Sequence, residues 1–118
     1  MDGFKKLEVF KKSYELALQI HKISLKFPKE IQFNLADQIR RSSRSIPTNI
    51  AEGYGKKYSQ KDFRRFLLMA KGSKDETIVH LNFLKDLNYI DQKIFDFLEQ
   101  KYEEVGKMLF GLIKSLKI

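Results

Sequence analysis

Apolar residues recur at helical spacing along most of the chain, and the clearest series lies near its C-terminus. There the spacing alternates between 3 and 4 residues, through Phe95, Leu98, Tyr102, Val105, Leu109, Leu112 and Leu116. A heptad series of this kind keeps one face of a helix against a partner helix. Asp91, just before the series, is a typical N-cap residue. The pattern therefore predicts a long amphipathic helix that begins after Asp91.

Three more helices are predicted upstream. The first covers about residues 7–26 and ends at Phe27–Pro28, because the residue before a proline disfavours the α conformation. The second begins near Phe33, and the third runs from about residue 59 to 88, with Ser59 and Asp62 as an acidic variant of the capping box. The first helix has a broad apolar side formed by Phe10, Tyr14, Leu16, Ala17, Leu18, Ile20, His21 and Ile23. The second is expected to direct inward Ala36, Ile39, Ser43, Ile46, Ile50 and Tyr54. One face of the third consists of Phe63, Phe66, Leu67, Ala70, Ser73, Thr77, Leu81 and Leu84.

Pro47 lies within the second helix. Proline lacks an N–H group and its ring clashes with the carbonyl four residues earlier, so we expect a kink or a one-turn break there. Asn49 and Glu52 would then cap a restarted helix, and Gly53 and Gly55 would end it.

Four helices with short connections, each with an apolar stripe to bury, predict an all-α fold. We expect an antiparallel up-down four-helix bundle, kinked at Pro47, in which residues 1–118 form a single domain.

The third helix carries a second apolar stripe, opposite its core stripe and within about 60° of helix surface. This stripe consists of Leu68, Gly72, Val79 and Phe83. One bundle cannot bury both faces of a helix, so the stripe predicts an interface between copies of the chain. Gly72 costs about 1 kcal/mol relative to alanine in mid-helix, and close approach of another backbone would compensate for it. Scattered exposed apolar residues and a tolerated surface glycine are the alternative interpretation.

Composition excludes several classes of protein. The 118 residues include no cysteine, which excludes a disulfide framework or a thiolate metal site and fits a reducing compartment. The start, MDGFKKLEVFKK, has no apolar segment typical of a signal peptide, and no stretch approaches 18 uncharged apolar residues. We therefore expect a cytoplasmic protein without membrane contact.

The net charge of +8 is distributed unevenly. Residues 1–36 carry a net charge of +3 and residues 37–65 carry +5, whereas residues 66–118 are neutral. Clustered positive charge attracts polyanions at long range, so the pattern favours a nucleic-acid partner, with solubility alone as the alternative.

Two groups of cations make up the candidate binding surface. Arg40, Arg41 and Arg44 share one flank of the second helix. The second group follows the Gly53–Gly55 turn and is expected at one end of the bundle, with the arginines extending from it along the side; its members are Lys56, Lys57, Lys61, Arg64 and Arg65. Arginine and lysine both suit phosphate oxygens. Some of the arginines could instead pair with acids of a neighbouring subunit.

Two tyrosines flank the same turn. Tyr54 and Tyr58 would stack on bases if they are exposed. The chain has no helix-turn-helix, zinc-finger or RNA-recognition signature, so the signal indicates binding of low sequence specificity.

No catalytic pattern is present. Glu76 and His80, at i and i+4, could offer two metal ligands, but carboxylate-bridged metal bundles use Glu-x-x-His pairs on two helices. We interpret the pair as a surface hydrogen bond. Gly53-Tyr54-Gly55 lacks the GK[ST] ending of a phosphate-binding loop. We therefore expect neither enzymatic activity nor a metal or cofactor.

The segment Ser45–Gly53, SIPTNIAEG, closely resembles a known family. Together with the upstream DQIRRSSR of residues 37–44 and the downstream Phe63, Phe66, Leu67, Ala70, Gly72, Ser73 and Glu76, it is similar to the four-helix-bundle proteins encoded in 23S rRNA intervening sequences. The resemblance extends from FKKLEVF near the N-terminus to MLFGLIKSL near the C-terminus.

The resemblance has implications for assembly and binding. The family is similar in fold to the accessory protein of diversity-generating retroelements, a basic pentamer of four-helix bundles that binds nucleic acid and a reverse transcriptase. The resemblance thus implies a homo-oligomer, with a pentamer as the expected form, that binds RNA or DNA without catalysis. An alternative function is a protein-interaction scaffold that docks a partner such as a reverse transcriptase or a ribonucleoprotein.

The chain departs from the family pattern at a few positions. Phe10 stands where the family often has tryptophan, and Lys74, Thr77 and Ile78 replace the apolar and acidic residues usual after Gly-Ser. The family string itself suggests a packing motif of Ser45, Pro47, Asn49, Glu52 and Gly53. In this hypothesis Asn49, Ser45 or a residue of a neighbouring helix satisfies a carbonyl freed by Pro47, and Glu52 pairs with a nearby arginine.

Overall fold

The computed structural model describes residues 3–118. Four α-helices, α1 Glu8–Ser24, α2 Leu35–Gly55, α3 Gln60–Asp86 and α4 Gln92–Ser115, follow one another along the chain. Short 3₁₀ helices at Gly3–Lys6 and Lys29–Ile31 precede α1 and α2. The described residues contain no strand, so the prediction of an all-α four-helix bundle is confirmed.

The helices form an elongated bundle of 45 × 22 × 21 Å. Each helix packs against the next, and α1 also packs against α4, which closes the ring of four. The contact between α2 and α3 is the most extensive of these, and that between α1 and α4 the least.

The predicted helix ends are largely confirmed by their capping bonds. Ser59 Oγ accepts from the N–H of Asp62 at 3.2 Å, and Asp91 Oδ1 accepts from the N–H of Ile94 at 2.8 Å. Asn88 has a φ of 67°, the left-handed conformation that ends α3. At the start of α2 the prediction was two residues early, since Asn34 caps a helix that begins at Leu35.

The predicted core stripes of α2, α3 and α4 are buried or half-buried, but that of α1 is buried only in part. Its core side consists of Val9, Ser13, Leu16, Ala17, Ile20 and Ser24. Tyr14, Leu18 and His21, which belong to the broad apolar side predicted for this helix, are exposed. The apolar surface of α1 is broader than its contact with the rest of the bundle.

Helix α2 runs through Pro47 without a break, so the one-turn break and the restarted helix are not found. Side chains around the proline bond to carbonyls four residues earlier: Thr48 Oγ1 donates to the Arg44 carbonyl at 2.8 Å and Asn49 Nδ2 to the Ser45 carbonyl at 2.9 Å. The carbonyl that loses its backbone donor to Pro47 is that of Ser43, so these bonds do not replace the lost one, and Asn49 bonds the Ser45 carbonyl in place of the freed one expected from the sequence. A kink at Pro47 stays a prediction.

Hydroxyl groups join α2 to α3 in the bundle interior. Ser73 Oγ donates to Ser45 Oγ at 2.9 Å, and Thr77 Oγ1 lies 2.9 Å from Ser42 Oγ. Small residues allow the two helices to approach closely, and the hydroxyls add polar contacts between them, while Ser42 and Thr77 also bond to carbonyls of their own helices.

Lys74 takes an unexpected place between α3 and α4. Its stem crosses Gly106, where a Cβ would lie 2.9 Å from the lysine Cε, and its amine reaches Asp75 at 2.7 Å. Lys74 donates to the Asp75 carboxylate and, with Lys71, lowers the pKa of that group. The departure from the family pattern at residue 74 is therefore accommodated by a glycine on the facing helix.

Candidate nucleic-acid interface

Four helix ends meet at one end of the bundle. The N–H of Lys117 donates to Gln60 Oε1 at 3.2 Å, which places the C-terminal residues beside the start of α3. Lys6 Nζ lies 5.9 Å from the ring centre of Tyr54, which places the N-terminal segment beside the end of α2. We call the described residues at this end, 3–12, 50–66 and 107–118, the basic end. Residues 13–49 and 67–106 form the body.

The excess positive charge of the described chain lies at the basic end. This end has 12 Lys/Arg and 3 Asp/Glu residues, a net charge of +9. The body has 11 of each and is neutral. The bundle therefore has a strongly charged end and an uncharged remainder, an asymmetry that creates a local positive potential.

Ion pairing reinforces this difference. In the body, lysines and arginines such as Arg41 and Lys71 lie near carboxylates, with an N–O distance of 3.5 Å to Asp37 and 3.2 Å to Asp75 respectively. At the basic end, Lys11 and Lys12 each have a carboxylate within 4.0 Å, and the other cations have none among residues 3–118. Most cations of the basic end are thus available to an external anion.

The five predicted cations after the turn are exposed and lie together at this end. They are Lys56, Lys57, Lys61, Arg64 and Arg65. The Arg65 guanidinium lies 4.6 Å from the ring centre of Phe66, so the aromatic ring supports its position.

The two tyrosines of the turn differ in exposure. Tyr54 packs edge-on against Phe63 and is covered by Lys57, whose amine lies 4.0 Å from the ring centre and donates to Tyr54 Oη at 3.0 Å. The bond from Lys57, followed by that from Lys6, lowers the pKa of Tyr54. Tyr58, in contrast, is 95% exposed.

The structure does not place the three arginines of α2 beside the turn. An α-helix rises 1.5 Å per residue, so Arg44 lies about 18 Å from Lys56 along the axis, and Arg40 and Arg41 lie farther away. Arg41 is exposed and near Asp37, and Arg44 is exposed.

Arg40 is directed into the protein. Its guanidinium donates to Ser24 Oγ at 2.7 Å, to Gln32 Oε1 at 3.2 Å and to the Gln32 carbonyl at 2.9 Å. It thereby joins the end of α1 to the segment before α2. The geometry gives Arg40 a structural role, in place of the phosphate contact expected from the sequence.

Several cations of the basic end were missed in the sequence. They come from the two termini, which are distant in sequence from the turn: Lys5, Lys6, Lys114 and Lys117. The predicted antiparallel topology was enough to find these lysines, because it places the start of α1 and the end of α4 beside the α2–α3 turn.

The predicted packing motif lies along the α2–α3 contact. Ser45 bonds to Ser73, and Asn49 Nδ2 donates to Ser45 Oγ at 3.0 Å. Pro47 is buried. Glu52 is exposed and has no ion pair among the described residues, so the expected pair with an arginine is not found.

Gly53, the last member of the motif, lies inside α2. A Cβ at this position would be 2.8 Å from the Cβ of Phe66. The role of Gly53 is therefore close helix packing, and the helix end that was expected there falls at Gly55.

The four residues of the second stripe on α3 are exposed. Phe83 is 53% exposed and Val79 51%, and Leu68 and Gly72 are also at the surface. A Cβ at Gly72 would meet no atom within 4 Å, so no backbone of the described chain approaches this glycine.

An open apolar groove of about 610 Å³ lies between α1 and α2. The side of α1 that the bundle leaves uncovered forms one wall, and α2 residues form the other. The aromatic and aliphatic members of the lining are Phe4, Phe10, Tyr14, Ala17, Leu18 and Pro47.

Potential metal ligands do not cluster in the part of the chain that the structure describes. Residues 3–118 contain no group of three or more potential metal-ligating side chains. His80 Nε2 lies 3.2 Å from Glu76 Oε2, the surface pair expected from their spacing. None of the described helices is both long and apolar enough to cross a membrane.

These features define a basic four-helix-bundle protein with an uncovered apolar surface. The chain belongs to the family described as 23S rRNA-intervening sequence protein, whose model matches residues 5–111. A crystal structure from Bacteroides thetaiotaomicron, of a protein with unknown function from the S23 ribosomal protein family, superposes with a TM-score of 0.83. The two chains are 30% identical, and the match covers 91% of this chain and 96% of the other. Among curated proteins, none matches.

Proposed function

We propose that this protein is a non-catalytic, homo-oligomeric nucleic-acid-binding protein that holds phosphate backbones at its basic end. The observation that carries the proposal is the concentration of charge: +9 at one end of the bundle and zero in the body. Lysine and arginine bind phosphate through charge and hydrogen bonds without reading base sequence. The rRNA association in the family's description favours RNA over DNA.

Fluorescence anisotropy with a labelled 20-nucleotide RNA tests the proposal. Counterion release predicts that affinity falls with salt at about −0.7 log units per contacted phosphate for a single strand, so five contacts give a log–log slope of about −3.5. Absence of binding to both RNA and DNA at about 50 mM salt would contradict the proposal.

A matched pair of variants locates the interface. Lys61→Glu with Arg64→Glu should weaken RNA binding at least tenfold, because two attractive contacts become repulsive. Both residues are exposed near the start of α3, where acids suit the helix dipole, so folding should be retained. The control, Lys29→Glu with Lys93→Glu, makes the same charge change at exposed positions of the body and should bind nearly as the wild type does. Equal losses in both variants would show that only net charge matters.

The stripe of Leu68, Gly72, Val79 and Phe83 is the proposed contact between copies of the chain. Gly72 costs about 1 kcal/mol relative to alanine without any close neighbour in its own chain, and approach of a second chain would compensate for that cost. The family resemblance implies a pentamer. Assembly would place several basic ends in one particle and so multiply the phosphate contacts.

Light scattering tests the assembly. The wild type should exceed the 14.0 kDa of one chain. Phe83→Glu should reduce the particle size, because it places a charge in an apolar contact. Phe33→Glu is the control, since Phe33 is an exposed aromatic residue outside the stripe. A wild-type monomer, or a Phe83→Glu variant of unchanged size, would remove the stripe from the proposal.

The groove between α1 and α2 favours a second candidate function, a scaffold that docks a partner protein. Its apolar lining would accept apolar side chains of the partner. A reverse transcriptase or a ribonucleoprotein is an example of such a partner. Retention of one protein in a pull-down after nuclease treatment, and its loss in Leu18→Glu, would support the scaffold. Loss of all partners after nuclease treatment would favour nucleic-acid binding alone.

A further inference from the structure

Tyr58 is an aromatic side chain left almost entirely in solvent at the most basic part of the molecule. Its exposed fraction is 95%, and it lies in the turn between α2 and α3, directly after Lys56 and Lys57 and three residues before Lys61. No hydrogen bond or ring contact within residues 3–118 occupies it. Both faces of the ring are therefore open to a ligand.

The neighbouring tyrosine cannot serve in the same way. One side of Tyr54 packs on Phe63, and Lys57 covers its ring and bonds to its hydroxyl. The difference assigns base stacking at the α2–α3 turn to Tyr58, although both tyrosines flank that turn.

An open aromatic ring surrounded by cations matches the arrangement that binds single-stranded nucleic acid. Cations hold the backbone while the ring stacks on a base, and every base has a face that can stack. In a duplex the bases stack on one another, and extruding one costs a few kcal/mol. A ring of this kind therefore distinguishes unpaired from paired strands. Charge alone distinguishes them far less, because both carry a phosphate backbone.

We propose that Tyr58 is a base-stacking platform and that the basic end prefers single-stranded nucleic acid over duplex. This inference rests on the proposed nucleic-acid binding and specifies its substrate class. Lys56, Lys57 and Lys61 supply the phosphate contacts on either side of the stacked base.

The chain has no tryptophan, which allows a direct measurement of stacking. In Tyr58→Trp, tryptophan emission comes from this site alone. Titration with a 20-nucleotide oligouridylate or oligothymidylate should quench the emission, whereas a blunt 20-base-pair duplex and heparin should bind without comparable quenching. The matched control is Phe33→Trp in the body, because Phe33 is 92% exposed, and its emission should stay unchanged.

Affinity gives the second measurement. Tyr58→Ala should weaken binding of the oligouridylate about tenfold, the lower part of the range for loss of one stacked base, and change duplex binding less than about twofold. Tyr58→Phe should bind as the wild type does, because it keeps the ring. The exposed position of Tyr58 makes all three variants compatible with folding.

The outcomes separate this inference from the proposed function. If the wild type binds RNA with steep salt dependence but Tyr58→Ala binds it equally well, or if duplex quenches Tyr58→Trp as strongly as the single strand, the stacking platform is wrong and electrostatic binding stands. If no oligonucleotide binds the wild type, both are wrong.

Discussion

The two regions of the bundle differ in the use that each makes of its cations. In the body, Arg41 and Lys71 lie near acids, and Arg40 is bound to Ser24 and Gln32 inside the protein. At the basic end, Lys61 and Arg64 have no carboxylate within 4.0 Å among the described residues. The number of basic residues in a segment is therefore a poor guide to a binding surface, because partners within the fold decide which cations are available.

The largest expected effect comes from removing charge contributed by both the turn and the C-terminus. Lys61→Glu and Arg64→Glu combined with Lys114→Gln and Lys117→Gln should weaken RNA binding about a hundredfold. Arg41→Gln with Arg44→Gln should weaken it less than about threefold, because these residues lie far from the turn. Anisotropy titrations at one fixed salt concentration measure both, and similar losses would extend the interface along α2.

Arg40 should affect folding more than binding. Arg40→Met removes the hydrogen bonds to Ser24 and Gln32 and should lower the free energy of unfolding by about 2 kcal/mol. Arg41→Met should change it by less than about 0.5 kcal/mol, since its pair with Asp37 is exposed. Urea denaturation of both variants measures the difference. An Arg40→Met variant as stable as the wild type would contradict the structural role of Arg40.

Two glycines near the basic end should respond in opposite directions. Gly53→Ala places a Cβ 2.8 Å from the Cβ of Phe66, which only a separation of α2 and α3 can relieve, so we expect a loss of about 1–3 kcal/mol. Gly55→Ala meets no atom within 4 Å and should stabilise by up to about 1 kcal/mol. Thermal unfolding of the two variants, compared with the wild type, gives the sign of each change.

The smallest effect concerns two tyrosines, one in each region. The bond from Lys57 lowers the pKa of Tyr54, whereas burial raises the pKa of Tyr102 above its usual range. Tyr102 has no hydrogen-bond partner for its hydroxyl among the described residues. In an alkaline titration followed by absorbance near 295 nm, Tyr54 should ionise at lower pH than an ordinary tyrosine and Tyr102 at higher pH. Tyr54→Phe should remove the first of these two steps and Tyr102→Phe the second.

The sign of the stability change follows from the same two shifts. An unfolded tyrosine ionises near pH 10. The stability linked to neutral Tyr102 is therefore complete below about pH 10 and declines as pH rises toward the folded pKa. Ionised Tyr54 has the opposite effect and favours the folded state at high pH. In Tyr102→Phe, the free energy of unfolding should thus no longer decline across this alkaline range. If it declines as in the wild type, another group causes the loss of stability.

Much of the fold was predictable because helix periodicity and capping depend on neighbours in sequence. The heptads of α4 and the caps at Ser59 and Asp91 were found in this way. The one-turn break at Pro47 was wrong, since α2 is continuous from Leu35 to Gly55 with the proline buried inside it. Local rules describe the backbone cost of a proline, but the packing of the helix in the bundle decides whether it breaks.

The candidate site was predictable only in part. The cluster at Lys56–Arg65 was visible as a run of cations, and its position followed from the antiparallel turn. The inward bonds of Arg40 and the arrival of Lys6 and Lys117 at the same end were not, because they depend on contacts between residues far apart in sequence. The different exposure of Tyr54 and Tyr58 could not be predicted either, because it depends on the side chains that pack against Tyr54.

The sequence by itself thus determined an all-α bundle, the apolar stripe on α3 and an excess of charge around the α2–α3 turn. Each follows from helical period or from charges adjacent in the chain, which are local properties. Only the tertiary structure decided that the net charge of residues 3–118 lies at one end, that Arg40 is bound inside, and that Tyr58 is open. These depend on which helix ends meet and which donors find acceptors, and folding settles both by bringing distant residues together.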